Sequence, residues 1–264
     1  MAASRPLVLS MGEPAGVGPE IIARAWTALR DEAPFAVIGD AGLLRAQGVP
    51  VVEIAQVSDA ADRFARALPV LGHPAPAPVV IGQPDTANAG VVADWIERGV
   101  DLALSGEASG LVTAPIAKAP LYAAGFRFPG HTEFIAELTA DAPFAGTRGP
   151  VMMLTARDLR ACLVTIHVAL DQVPELVTGD RVIRTARVVH EAMKRDFGIK
   201  APRLAIDEAG EVLVWAGETS PQTPGATPPP PQPEKPPDTP ADQAMPVRPP
   251  AAGHEDQVMS TFWP

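Results

Sequence analysis

At 264 residues and 47% apolar content, the chain can bury a sizeable core in one large or two medium domains. Its net charge of −10 argues against nucleic acid and acidic membranes as main partners. An anionic small ligand stays open, because backbone N–H groups or a metal override net charge locally.

Cys162 is the only cysteine, so no intramolecular disulfide is possible. The apolar run Leu7–Met11 is too short for a signal peptide, and no stretch reaches transmembrane length. A cytoplasmic protein is expected.

The apolar run Pro6–Met11 predicts a buried strand that ends in a glycine-rich turn, Gly12 to Glu20 (GEPAGVGPE). A helix follows from Pro19 to Arg30, with Pro19 suited to a first helical position. Strand, glycine turn and helix is the general form of a phosphate loop, but Gly12, Gly16 and Gly18 match neither the dinucleotide nor the P-loop spacing. Taken alone, a tight turn is the better reading. Phe35–Gly39 and Val51–Ile54 predict two further strands, with Asp40 able to cap the helix after the first.

Val70 to Gln83 reads as a loop, and His73 within it as a surface residue. Asp85 and Thr86 can cap a long helix from Ala87 to Ser105, whose apolar positions Val92, Trp95, Ile96, Val100 and Ala103 recur at helical spacing. Trp95 is expected in the core. Gly110–Thr113 predicts a strand, and Pro115 the start of a helix.

Strands alternating with helices imply a mostly parallel sheet with helices on both faces. Ligands of such sheets lie beyond the carboxyl ends of the strands. A second helix is expected where the loop Phe128–Gly130 gives way to His131 and Thr132. The free N–H groups of a helix start favour an anion, and a His and a Thr beside them suit a hydroxylated, negatively charged ligand.

Val151–Thr155 and Leu159–Val168 predict a β-hairpin. His167 lies on the opposite strand face from Cys162, Val164, Ile166 and Val168, and residue parity leaves a structural role and a ligand role equally open. Gly179 to Asp196 predicts an amphipathic helix with Val182, Ile183, Ala186, Val189 and Met193 inward, and His190 at the edge of that face.

From Ala209 the character changes, with 13 prolines between Ala216 and Pro250. The chain therefore divides into an α/β region, 1–208, and a proline-rich tail, 209–264, expected to be disordered, within which the segment 216–250 cannot hold helix or central strand. His254 and Asp256 alone are weak evidence for a metal.

Four blocks, GEPAGVGPE (Gly12–Glu20), LVTAPIAK (Leu111–Lys118), FPGHTEF (Phe128–Phe134) and VMMLTARDLRACLVTIHVAL (Val151–Leu170), occur in the order and approximate spacing of one family. Residues 7–204 resemble the 4-hydroxythreonine-4-phosphate dehydrogenases of pyridoxine biosynthesis. The resemblance implies a two-domain scaffold like that of isocitrate and isopropylmalate dehydrogenases, and a cytoplasmic homodimer. It implies NAD-dependent oxidation of 4-phosphooxy-threonine, a small phosphorylated substrate, to a 3-oxo acid that decarboxylates. It also implies a divalent metal (zinc, magnesium or cobalt) held by three histidines shared across the dimer.

The resemblance places His131 and Thr132 in substrate binding and His167 as the first metal ligand. Lys118 matches the family without an assigned role. The family's later Asn-Pro-His and Tyr-His-Asp blocks, which carry the other two metal histidines, do not occur after Leu204 in this sequence. Replacement of the carboxyl half by frameshift or rearrangement is one expectation, and a truncated paralogue another. The alternatives to the family reaction are a non-catalytic member that keeps an anion-binding crevice and a relative acting on another phosphorylated hydroxy acid.

Overall fold

The computed structural model describes residues 5–156, 159–206, 212–215 and 258–262. The chain divides into two compact units, 1–143 and 144–264.

The first unit is built on β1 (Leu7–Ser10), α1 (Gly18–Leu29), β2 (Phe35–Gly39), α2 (Ala41–Arg45), β3 (Val51–Glu53), α3 (Ala60–Phe64), β4 (Leu68–Gly72), α4 (Ala89–Leu104), β5 (Leu111–Thr113), α5 (Lys118–Ala123) and α6 (His131–Leu138). Its sheet runs β3–β4–β2–β1–β5, with every neighbouring pair parallel. Every residue of β2, FAVIG, is buried, as a central strand requires.

The chain moves from β1 to one side through α1 and later crosses to the other side through α4 to β5. Right-handed crossovers in opposite directions put α1 and α4 on opposite faces. The direction change makes the carboxyl ends of β1 and β5 the switch point where such sheets form a crevice.

Val8, Val37, Ile38, Leu44, Leu71 and Trp95 are buried in the core of this unit. The two buried indoles keep their donors satisfied. Trp26 Nε1 donates to the Phe64 carbonyl at 2.8 Å and Trp95 Nε1 to that of His73 at 2.9 Å. Asp40 caps α2 as expected, accepting from the N–H groups of Gly42 (2.7 Å) and Leu43 (3.2 Å), while its other oxygen accepts from Ala75 (3.0 Å).

The second unit holds β6 (Val151–Ala156), β7 (Leu159–Cys162), a short α7 (Val173–Leu176), α8 (Gly179–Arg195), β8 (Arg203–Ile206), β9 (Val212–Trp215) and β10 (Val258–Phe262). Its sheet, β10–β6–β7–β9–β8, is antiparallel throughout. Val188, Val189 and Met193 of α8 form a separate core with Val151, Met153, Cys162 and Val164.

Several expectations are corrected. β4 falls in a stretch expected to be mostly loop. Pro69 hid it, but pairing with β2 begins only at Val70, so the missing N–H removes no bond from that ladder.

The second hairpin strand ends at Cys162 rather than Val168. The register Met153↔Cys162 brings residue 164 opposite Val151, where β6 begins, so the β-branched run beyond has no partner there. Pro115 does not open a helix. Its carbonyl accepts from Glu13 N–H at 2.9 Å, and α5 starts at Lys118.

Along α8 the buried stripe is Thr185, Val188, Val189, Ala192 and Met193, and Ile183, expected inward, is 51% exposed. In the stretch from 209 on, Val212–Trp215 and Val258–Phe262 are strands, where β-branched and aromatic residues pair with β7, β8 and β6. The proline-dense stretch 216–250, His254 and Asp256 lie outside the described residues.

Candidate functional site

The switch point is built by the joint of two sequence blocks. Ala114 N–H donates to the Ser10 carbonyl at 3.1 Å, and Glu13 N–H to that of Pro115 at 2.9 Å, so the glycine turn after β1 is laced to the segment after β5. Gly12 has φ 72, and a Cβ there would lie 2.8 Å from the Ala114 carbonyl carbon. Only glycine meets both demands, the left-handed backbone and the close approach.

Two polar side chains are buried at this joint. Ser10 is fully buried, and its Oγ has no hydrogen-bond partner among the described residues. Glu13 is 5% exposed, and one oxygen accepts from Ala15 N–H at 3.0 Å. Burial pushes the Glu13 carboxyl above the ordinary range, and the bond from Ala15 opposes it.

His131 and Thr132 open α6, as expected. The residue before them, Gly130, is extended and brings no side chain to cap the helix. The first N–H groups of α6 are therefore not met by a capping side chain, as at other helix starts that take anions. Thr132 is buried. His131 is half-buried, and its Nε2 is out of solvent without a hydrogen-bond partner among the described residues; the same holds for Glu133 Oε2.

Burial lowers the His131 pKa, and the ammonium of Lys118, at the start of α5, lowers it further. The imidazole is then neutral at neutral pH and can donate or accept at Nε2. Phe126, Phe128 and Phe134 fix this corner, with ring centres 4.9 to 5.4 Å apart in the three pairs.

His167 belongs to the second unit. It is exposed, and its φ of 56 makes it the one non-glycine residue in the left-handed region among the described residues. No group of three or more His, Cys, Asp or Glu side chains that could hold a metal occurs among the described residues.

The structure thus brings His131, Thr132 and Lys118 to one corner of the first unit. Ser10, Glu13 and Glu133 were missed as site candidates. Glu13 and Glu133 stood inside quoted motifs, but only their burial distinguishes them from surface carboxylates.

An α/β enzyme scaffold with buried polar side chains at its switch point is the class these features define. Residues 31–208 match the family described as pyridoxal phosphate biosynthetic protein PdxA, and the chain belongs to that family. The 4-hydroxythreonine-4-phosphate dehydrogenase of Caulobacter vibrioides is 58% identical over 206 residues, covering 77% of this chain and 62% of the relative. That of Maricaulis maris is 48% identical over 212 residues, covering 76% and 62%.

The crystal structure of the Klebsiella pneumoniae enzyme superposes with a TM-score of 0.67 at 30% identity, over 76% of this chain and 62% of that one. The chain therefore spans about three fifths of the length of these relatives. No helix among the described residues is long and apolar enough to cross a membrane.

Proposed function

We propose that this chain carries the substrate-gripping part of an NAD-dependent dehydrogenase that oxidises 4-hydroxythreonine 4-phosphate in pyridoxal phosphate biosynthesis. The observation that carries this reading is the uncapped start of α6, with a neutral His131 whose Nε2 has no partner among the described residues beside Thr132, in a chain of this family.

The α6 N–H groups and the Thr132 hydroxyl would hold anionic or hydroxyl oxygens of the substrate. The His131 imidazole would donate to or accept from a ligand oxygen at Nε2, and Lys118 would add positive charge at the same corner. The reaction takes a hydride from the carbinol carbon and a proton from its hydroxyl, leaving a 3-oxo acid that loses carbon dioxide. NAD, when bound, accepts the hydride.

The described residues of one chain do not fit a divalent metal, since His167 is a single exposed imidazole and no metal-holding group accompanies it. A second copy of this chain in a homodimer would bring the same histidines and not the family's other two, so His167 stays a lone candidate ligand. A second reading, a non-catalytic member that binds the phosphorylated ligand without turnover, is favoured by the lack of Asn-Pro-His and Tyr-His-Asp blocks after Leu204.

The test is NADH formation by the purified chain given NAD, 4-hydroxythreonine 4-phosphate, and zinc, magnesium or cobalt in turn. Calorimetric binding of the same substrate is measured in parallel. Metal-dependent NADH supports the first reading, and binding without NADH supports the second. Folded protein that neither binds nor turns over the substrate overturns both.

A further inference from the structure

The start of α6 holds a carboxylate to which the proposed reaction gives no part. Glu133 is the third residue of the helix and half-buried. Its Oε2 lies out of solvent with no hydrogen-bond partner among the described residues. A carboxylate oxygen only accepts, so whatever completes it must bring a donor. Left without one inside the protein, such an acceptor is costly.

The carboxylate folds back over the residue before the helix. A Cβ built on Gly130 would lie 3.7 Å from Glu133 Oε2, and among the described residues it would meet nothing else within 4 Å beyond its chain neighbours. A glutamate in this position can accept from the N–H of the residue before the helix, but Oε2 makes no such bond here.

The backbone does not explain Gly130. At φ −175 it is extended, a conformation any residue adopts, and a side chain there would meet only ordinary contact. What the glycine does provide is free space in front of Glu133 Oε2, as glycines do where a ligand comes close to the chain.

The corner carries both signs of charge. The Lys118 ammonium is close enough to act on His131, whereas no cation pairs with Glu133 among the described residues. A ligand with negative groups alone would meet Glu133 as a like charge at the helix start that attracts it. A ligand with an ammonium beside its anionic groups meets an opposite charge in both Lys118 and Glu133, and such pairing selects by repulsion as well as attraction.

We propose, on the reading that the ligand is the phosphorylated amino acid named above, that Glu133 is the specificity-determining residue of this corner and takes the ligand's ammonium in the space over Gly130. The carboxylate accepts a charge-assisted hydrogen bond there, which a hydroxyl in place of the ammonium does not match.

The measurement is calorimetric binding, to the full 264-residue chain, of 4-hydroxythreonine 4-phosphate and of its 2-hydroxy analogue, in which a hydroxyl replaces the ammonium. The parent should favour the amino ligand by about tenfold or more, the worth of one charge-assisted hydrogen bond. Glu133→Gln should abolish that preference by weakening the amino ligand. Gly130→Ala, whose methyl fills the space, should do the same, and it carries the test if Glu133→Gln does not fold. Far-UV circular dichroism checks both variants. A carboxylate that serves only as a charge at the helix start would move stability and leave the preference untouched. A parent without the preference, or a preference kept in either folded variant, overturns the proposal and leaves the substrate reading standing. A folded parent that binds neither compound overturns the substrate reading as well.

Discussion

His131 turns burial into a dependence on pH. Its folded pKa lies below the ordinary imidazole value, through burial first and Lys118 second. Between those two values the unfolded chain holds more protons than the folded one, so stability rises with pH across that window and falls as acid protonates the imidazole. Urea midpoints compared at pH 5 and pH 7.5 should differ less in His131→Gln than in the parent. An unchanged difference would remove His131 as a source of it.

Glu13 acts in the opposite sense. Burial raises its pKa, so its contribution is fully present below the unfolded carboxylate value and is lost as pH rises through the folded one. Glu13→Gln keeps an oxygen for Ala15 N–H and should raise the melting temperature at pH 7, with the gain vanishing near pH 4. For ligand binding, His131→Ala should weaken 4-hydroxythreonine 4-phosphate by about 10- to 100-fold, the loss of one charge-assisted hydrogen bond, read by calorimetry.

At the scale of elements, the Asp40 cap and the Gly12 joint are the local choices that shape the first unit. Asp40→Ala leaves three N–H groups without their carboxylate and should cost about 1 to 2 kcal/mol in urea unfolding. Gly12→Ala combines a left-handed backbone with a clash against the segment after β5, so it should both destabilise the fold and weaken ligand binding at α6.

β1, β2 and α4 were legible because of their apolar period. Asp40 was legible because capping is a local act, whereas Asp85, expected to cap the long helix, caps the 3-10 turn Thr86–Asn88 before it, accepting from Ala87 N–H at 2.9 Å, and α4 begins at Ala89 without a side-chain cap. The end of β7 was not legible, since Val164, Thr165 and Ile166 still alternate, and what stops the ladder is the start of β6 in another part of the chain. The α6 site showed its His and Thr but not the unpartnered Nε2 or the pull of Lys118, which arise only from packing.

On the whole molecule, two hydrophobic cores serve different ends. Trp95 is fully buried in the unit that carries His131, and α4 lies against α6. Trp95→Ala should cost about 3 to 5 kcal/mol and weaken ligand binding with it. Met193→Ala, in the other core, should cost about 2 to 5 kcal/mol while leaving calorimetric affinity at the His131 corner unchanged. Loss of affinity in a folded Met193→Ala chain would show that the second core also shapes the crevice.

Cys162, in that second core, has a thiol pushed up to about 12 by burial. At neutral pH only about one molecule in 10^5 then carries the reactive thiolate. The folded protein should therefore react slowly with thiol reagents, which the rate of colour release from a chromogenic disulfide checks. A single cysteine introduced on its surface can accept a dye or a spin label without removal of the native one, so distances can be followed in the otherwise unaltered chain.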